Sequence, residues 1–380
     1  MDFTLPHELE MIRQTVKQFV DRNLRPLERQ VDEADEVDPA VDRQLRKLSV
    51  ELGLYGHNLP EALGGGGLGA LAQAVIGEEL GRTTIPLAAT LGYLPGSLRF
   101  VNPEQREWFL DPILKADKLL AYAITEPDAG SDFGRVATRA RRDGDKWILN
   151  GTKQFISSAK TADYVILLAV TDPDAPLRSR YTMFIVDCKS PAFHYLRTLK
   201  KMGWHGSSLS VFSLDDYEAS DAHVLGKVGE GFDCIMATIN STRIQYSGRY
   251  VGMAAELLEL AVDYATQRVT FGKPIGEHQA IQFMLADSEV ELQAARLLTY
   301  HAATLADNGD RLVRIAASRS KLYGSEMVGR VADRVVQIFG GAGYVCDLPV
   351  ERMYRDARAF RIGEGTSEMH RLQIARNLLG

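Results

Sequence analysis

The sequence predicts a mainly helical chain in three parts, with a β domain in the middle. Three observations carry this reading. The hydrophobic period changes from helical to strand-like near residue 119, it changes back near residue 226, and the helical runs that follow are longer than an ordinary globular helix. The predicted parts are an N-terminal helical domain over 1–118, a β domain over 119–225 and a C-terminal helical bundle over 226–380.

In the first part Met11, Ile12, Val16, Phe19 and Val20 recur near a period of 3.6, with Arg13, Lys17 and Asp21 between them. Pro6, the Gly64–Gly67 run, Pro86, Pro95 and Pro103 divide this region into several helices and loops. In the second part Val136, Thr138 and Ala140 alternate with polar or small neighbours, and Asp143-Gly144 predicts a hairpin turn before Lys146. Asn150-Gly151 predicts a second tight turn before Gln154-Phe155-Ile156. Tyr164–Val170 and Met183–Val186 read as buried strands, and 209–214 as a strand covered on both faces. In the third part helices are expected near 232–270, 277–307 and 311–339, with a last one from Ser367. Leu257, Leu258, Ala261 and Val262 are assigned to one helix face, and Glu256, Glu259 and Asp263 to the other.

The chain has 380 residues, is 45% hydrophobic and 25% charged, and carries a net charge of -6. That size allows two or three domains with a buried core. The acidic balance excludes a dedicated nucleic-acid binder. Cys188, Cys234 and Cys346 are scattered and form no Cys/His cluster, so three free thiols are expected, with no disulfide framework and no metal site. Charges interrupt every apolar run, and the start of the chain lacks a signal-peptide pattern. The expectation is a cytoplasmic protein without a membrane segment.

Gly64, Gly66 and Gly69 match a dinucleotide-binding pattern by letter, but no strand precedes them and no acid follows at the required distance, so they read as a loop. The loop from Thr125 to Asp132 offers small residues, hydroxyls and free N–H groups to a planar or anionic ligand. Glu364 stands between Gly363 and Gly365, where a ligand can approach its backbone closely, and Thr366 or Ser367 can cap the helix that follows.

Several segments together resemble one family. They are Thr125–Asp132, Lys153–Ser157, Lys201–Trp204, Arg268–Ile275, His278–Ala280, Gln337–Gly341 and Glu364–Thr366. In this order and spacing they resemble the acyl-CoA dehydrogenases, from the start of the β domain to the last helix. The resemblance implies that family's fold: a helical domain, a small β-barrel and a four-helix bundle. It also implies FAD as cofactor. Tyr122, Ile124, Thr125, Phe155 and Ser157 would line the isoalloxazine. Arg268, Phe271, Gln279, Gln337 and Gly341 would reach the adenine and pyrophosphate end of an FAD held mainly by a neighbouring subunit. Thr366 and Glu368 would lie at its diphosphate, while Ser131, Arg243 and Gly365 match substrate-binding positions. Glu364 matches the catalytic base. The implied partners are an acyl-CoA substrate, an electron-transfer flavoprotein and three further copies in a homotetramer.

The chemistry suits these residues. Desaturating a thioester removes a proton from Cα and a hydride from Cβ, so a base and a donor for the developing enolate oxygen are needed. A carboxyl group near its usual pKa of ~4.3 is a weak base, and burial raises it. Some family members carry the base on an earlier helix, where this chain has Thr242, which cannot serve. Three positions depart from the family pattern: Phe155 stands for Trp, His205 for Arg and Glu368 for Gln. Arg99 is weighed as a partner for a distal carboxylate and read instead as a surface residue. Arg352, Arg355 and Arg358, with Asp356, read as an ion-pair network. The alternatives are an acyl-CoA oxidase or an enoyl-CoA reductase on the same scaffold, or a non-catalytic CoA-thioester binding protein.

Overall fold

A computed structural model describes residues 4–380, with only the backbone of Asn240; Met1–Phe3, the start of the predicted N-terminal domain, lie outside the described residues. Short helices and turns run from His7 to Leu114, and the strands follow. They are β1 (Leu120–Ala123), β2 (Arg139–Asp143), β3 (Lys146–Ser157), β4 (Tyr164–Val170), β5 (Tyr181–Asp187), β6 (Phe193–Thr198), β7 (Leu209–Ser220) and β8 (Val224–Leu225). They form one mixed sheet in the order β6-β7-β3-β2-β4-β5-β8, with β1 parallel to β4. The sheet curls around a core of its own, built from Ala123, Trp147, Leu149, Val165, Phe184 and Phe212. This is the expected barrel-like domain, with β6 and β8 as its ends. The opposite faces of β4 and β5 carry Ile166, Leu168, Met183 and Ile185 onto Leu59, Leu98 and Phe109 of the N-terminal domain. Both strands are therefore mostly apolar, with Thr182 and the terminal Asp187 as the polar residues of β5, as expected of strands covered on two faces.

The helices expected in the third part run Gly231–Gln267, Gln279–Asp307, Val313–Phe339 and Ser367–Leu379, with Pro349–Ala359 between the last two. The long helix Gly231–Gln267 is the spine, because the N-terminal helix Ala70–Leu80 crosses it at glycines. A Cβ on Gly248 or Gly252 would overlap the carbonyl oxygens of Ala74 and Glu78. Backbones that close bring the loop 90–97 against the start of the long helix, where the Ser97 N–H donates to Thr238 Oγ1 at 2.9 Å.

Three local expectations need correction. Asn150-Gly151 is not a turn, because β3 passes through it with a shift of register. The side chain of Asn150 instead exchanges hydrogen bonds with the side chain and N–H of Asp216 on β7, at 2.9 and 2.8 Å. Val136 and Thr138 precede the strand, which begins at Arg139, because the N–H groups of Ala137 and Thr138 are taken by the Glu126 carboxylate at 2.7 and 3.0 Å. On the long helix Val262 is exposed and Glu256 is buried, since Arg25 (2.6 Å) and Arg82 (3.1 Å) reach Glu256 from the N-terminal domain.

The ion-pair reading is matched at Arg352 and Arg355, whereas Arg358 is exposed and has no ion pair among the described residues. Arg352 pairs with Glu28 at 2.7 Å, and Arg355 with Asp32 at 3.1 Å and Glu351 at 2.7 Å. Asp356 accepts from the Trp204 N–H, and His205 lies in a loop 2.9 Å from Asp32. Arg99 is exposed and, among the described residues, its side chain bonds only its neighbour Gly96, at 3.1 Å. Among the described residues no helix is long and apolar enough to cross a membrane.

The glycine crossing is testable. Ala in place of Gly gains up to ~1 kcal/mol of helix propensity, but the overlap at Gly252 is with backbone that cannot rotate away. Overpacking of that kind costs about 1–3 kcal/mol or more. Gly252→Ala should therefore lower the urea midpoint despite its better helix propensity, while Ala at the open, exposed Gly130 should not.

Candidate active site

Glu364 lies in the turn between Pro349–Ala359 and the last helix, and its backbone is held in a left-handed conformation, φ 57°, followed by Gly365 at 91°. Such a φ costs a non-glycine residue about 1–2 kcal/mol, and the surroundings fix it. Lys321 Nζ, from the helix Val313–Phe339, donates to the Gly365 carbonyl at 2.5 Å. Arg243 Nε, from the long helix, donates to the Glu364 carbonyl at 3.4 Å, and His370 Nε2 lies 3.2 Å from the same oxygen. A Cβ on Gly365 would meet His370 Nε2 at 3.1 Å. Thr366 caps the last helix by accepting from the Met369 N–H at 3.4 Å. With both carbonyls engaged, the Glu364 N–H has no partner among the described residues.

The electrostatics follow from this packing. Burial pushes the Glu364 carboxyl above its ordinary pKa, against the pull of Arg243 and Lys321. Burial lowers Lys321 to about 8 and His370 to about 4, so His370 is neutral at pH 7. Burial, and then the charge of Glu364 among other causes, raises the phenols of Tyr93, Tyr122, Tyr246 and Tyr250. These four phenols lie within electrostatic reach of the carboxyl. The hydroxyls of Tyr93 and Tyr122 and Nη1 of Arg243 are sealed from water without a hydrogen-bond partner. Native interiors rarely leave such groups orphaned, so the cleft has the chemistry of a ligand site.

The sheet contributes a second group. Lys153 (1% exposed) and Glu126 (6%) form a buried ion pair at 2.8 Å. Lys153 also donates to the Ile124 carbonyl at 3.0 Å, and the Gln154 N–H donates to the Thr125 carbonyl at 3.0 Å. These bonds bring Tyr122, Ile124 and Thr125 beside the β3 segment that carries Phe155 and Ser157. Phe155 sits in an interruption of the β3–β7 register, at φ 60°, and its ring is 52% exposed. A large apolar ring held outward in a strained conformation has no role in the core, and it suits a planar ligand. Ser131 is exposed on the loop beyond Ala129.

The third predicted group lies at one end of the bundle. Arg268 ends the long helix, Phe271 tips the small hairpin Val269–Pro274, and Gln279 opens the next helix. Tyr264 stacks on Phe339 at 4.2 Å, which sets Gln337 and Gly341 at the same end. Arg268, Phe271, Gln279, Gln337 and Gly341 are all exposed, Phe271 at 97% and φ 50°. The two-residue turn of the hairpin accounts for the φ of Phe271, but among the described residues nothing covers its ring. Glu368 is exposed, 3.9 Å from Arg371, and the helix N-terminus holds its carboxyl below the usual range.

Thr242 is buried and donates to the Thr238 carbonyl at 2.8 Å, so it has no acid–base task. A separate cleft of about 380 Å³, lined by Arg330, Asp333, Arg334, Arg358 and Arg361 among others, contains none of the site residues named above. Sequence reasoning missed Lys321, His370, Tyr93 and Tyr246. Lys321 had a signal: it is a charged residue among Ser318, Ser320 and Gly324 on the buried stripe of its helix.

The fold and site invite comparison with known proteins. Residues 6–117, 121–217 and 229–379 match, in turn, the acyl-CoA dehydrogenase N-terminal, middle and C-terminal domains. The chain is 38% identical to the human mitochondrial short-chain specific acyl-CoA dehydrogenase, covering 99% of this chain and 91% of that one. It is also 38% identical to a 3-(aryl)acrylate reductase from Clostridium sporogenes over the full length of both. Its fold superposes on butyryl-CoA dehydrogenase from Megasphaera elsdenii with a TM-score of 0.92, at 33% identity over all of both chains.

Since Lys321 lowers the Glu364 pKa, Lys321→Met should raise it further. The measurement is the titration midpoint of the Glu364 carboxyl, read by carbon NMR on protein labelled at glutamate.

Proposed function

Because the chain belongs to the acyl-CoA dehydrogenase family, we propose that it is an FAD-dependent enzyme that desaturates an acyl-CoA thioester to the trans-2-enoyl-CoA, with Glu364 as the base. The observation that carries this reading is the pinned Glu364, half-buried and desolvated, with its N–H unpartnered among the described residues. The thioester carbonyl lies against that N–H, which stabilises negative charge developing on its oxygen. The carboxylate then takes the proton from Cα, and burial makes it a stronger base than a solvated glutamate. Arg243 and Lys321 act as positioning residues, holding the peptide that carries both groups. Ser131, Arg243 and Gly365 serve the CoA side of the substrate.

Proteins of this family carry FAD, and the residues here suit it. Tyr122, Ile124, Thr125, Phe155 and Ser157 hold the ring system, with the outward ring of Phe155 as the supporting feature. Thr366 and Glu368 lie toward the diphosphate, where the ion pair with Arg371 offsets the acidic Glu368. Arg268, Phe271, Gln279, Gln337 and Gly341 reach the cofactor of a neighbouring copy, which accounts for their exposure and implies a homotetramer. When bound, FAD accepts the hydride from Cβ. Electrons leave to an electron-transfer flavoprotein.

A second reading, reduction of an enoyl-CoA, is favoured by the full-length similarity to an arylacrylate reductase. The residues are the same and Glu364, protonated, supplies the proton to Cα.

The test is anaerobic bleaching of the yellow holoenzyme by acyl-CoAs. Glu364→Gln should keep the colour and slow bleaching by roughly 10²–10⁴-fold. Undiminished bleaching in that variant overturns the assignment of the base. Reoxidation of the reduced enzyme by an enoyl-CoA, faster than its bleaching by the saturated thioester, establishes the reductase direction.

A further inference from the structure

Arg249 is a buried cation that the proposed reaction leaves without a task. It is 3% exposed, and among the described residues its side chain has no hydrogen bond and no ion pair. Its close contact is the ring of Tyr246, 4.9 Å from the guanidinium carbon. A cation–π contact is worth less than the desolvation of a buried guanidinium, so the ring does not balance the burial. Arginines nearby are treated differently: Arg25 and Arg82 share Glu256, and Arg352 has Glu28.

The neighbours repeat the pattern. Gln245, one turn earlier, is 0% exposed and neither atom of its amide is bonded. The Tyr93 hydroxyl is also orphaned, as is Nε2 of His57, whose ring lies 5.9 Å from that of Tyr93. Buried polar groups are normally paired, and this many together mark a site that a ligand completes.

The place of the cluster identifies the ligand. Thr242, Tyr246 and Arg249 recur at i, i+4 and i+7 and so share one face of the long helix. Arg243, beside Thr242, touches the Glu364 carbonyl, and six residues of helix carry Arg249 about 9 Å further along the axis. Tyr93, Tyr246 and Tyr250 feel the charge of Glu364 and also neighbour Arg249. These three phenols therefore lie within electrostatic reach of both the base and the cation.

We propose that Arg249, helped by Gln245 and Tyr93, binds a carboxylate at the far end of the acyl chain, so that the preferred substrates are ω-carboxyacyl-CoAs of short or medium length. This rests on the acyl-CoA reading above. The guanidinium donates to the carboxylate oxygens, and the Gln245 amide and Tyr93 hydroxyl supply further donors. A methyl-ended chain would leave all of them sealed and unpaired, and sites built for a polar group reject analogues that lack it.

The test uses the holoenzyme and pairs of acyl-CoAs matched in length, one methyl-ended and one carboxyl-ended. Anaerobic bleaching gives kcat/KM for each. The expected preference is at least ~100-fold for the carboxyl-ended member at the best length. Arg249→Met should lower that rate by about 100-fold and raise the rate on the methyl-ended partner, while Arg249→Lys keeps part of the preference. Calorimetric binding of both thioesters to Glu364→Gln holoenzyme should show the same order. A wild-type enzyme that favours the methyl-ended chain at every length overturns the proposal, even if the Arg249 variants fail to fold. So does an unchanged ratio in Arg249→Met. Bleaching by neither kind of thioester overturns the acyl-CoA reading as well.

Discussion

The peptide between Glu364 and Gly365 is the constraint on which the site depends. A glutamate in the left-handed region is strained by about 1–2 kcal/mol, and it would relax if the turn were free. It is not free, because Lys321 holds one carbonyl while Arg243 and His370 hold the other, from three separate stretches of chain. Hydrogen bonds from charged donors contribute about 1.5–3 kcal/mol each, enough to outweigh the strain. The outcome is directional. With its carbonyls engaged by the bundle, the turn leaves the Glu364 N–H without a partner among the described residues. The long helix, the helix Val313–Phe339 and the last helix must all be docked before this geometry exists, so the fold of the bundle and the presence of the site are one event.

A buried ion pair does the equivalent work in the sheet. Glu126 receives the N–H groups of Ala137 and Thr138 as well as Lys153 Nζ, and Lys153 also reaches the Ile124 carbonyl. One carboxylate thus closes the loop from Glu126 to Thr138 and ties it to β3. Burying both charges contributes little to net stability, but losing one partner of such a pair is expensive, about 3–5 kcal/mol. Its effect is on position. The edge formed by Tyr122, Ile124 and Thr125 is locked beside Phe155, which is the surface assigned to the flavin.

What was legible in the sequence follows the range of the physics. Periodicity is local, so the long helices and the buried strands β4 and β5 could be read from it, as could the Asp143-Gly144 hairpin. Readings that depended on a distant partner failed. Asn150-Gly151 has turn chemistry, yet Asp216 on a neighbouring strand satisfies Asn150 and keeps β3 continuous. Glu256 alternates like a solvent-facing residue, but two arginines more than 170 positions away bury it. At the site, Glu364 was visible because glycines flank it. His370 and Arg249 were not, because a polar or charged residue on a helix reads as surface until its surroundings are known, and Lys321 was signalled only by its small neighbours. Three residues named from family resemblance, Phe155, Phe271 and Glu364, are among the non-glycine residues at positive φ. Backbone strain of that kind leaves no pattern in the sequence beyond a neighbouring glycine.

On the proposed reading, a carboxylate that takes a proton is set among cations, and that arrangement needs a reason. Arg243 and Lys321 both lower the pKa of Glu364, which weakens it as a base, and burial raises it by more. An apolar pocket alone would leave a stronger base, but it would oppose the negative charge that moves onto the thioester oxygen as the proton leaves. Surplus positive charge in a dry interior favours that developing charge, and fixed groups need no reorganisation when it forms. The two demands conflict only if the cations touch the carboxyl directly. Here they touch backbone carbonyls instead, so their field reaches the reacting atoms while desolvation still governs the base.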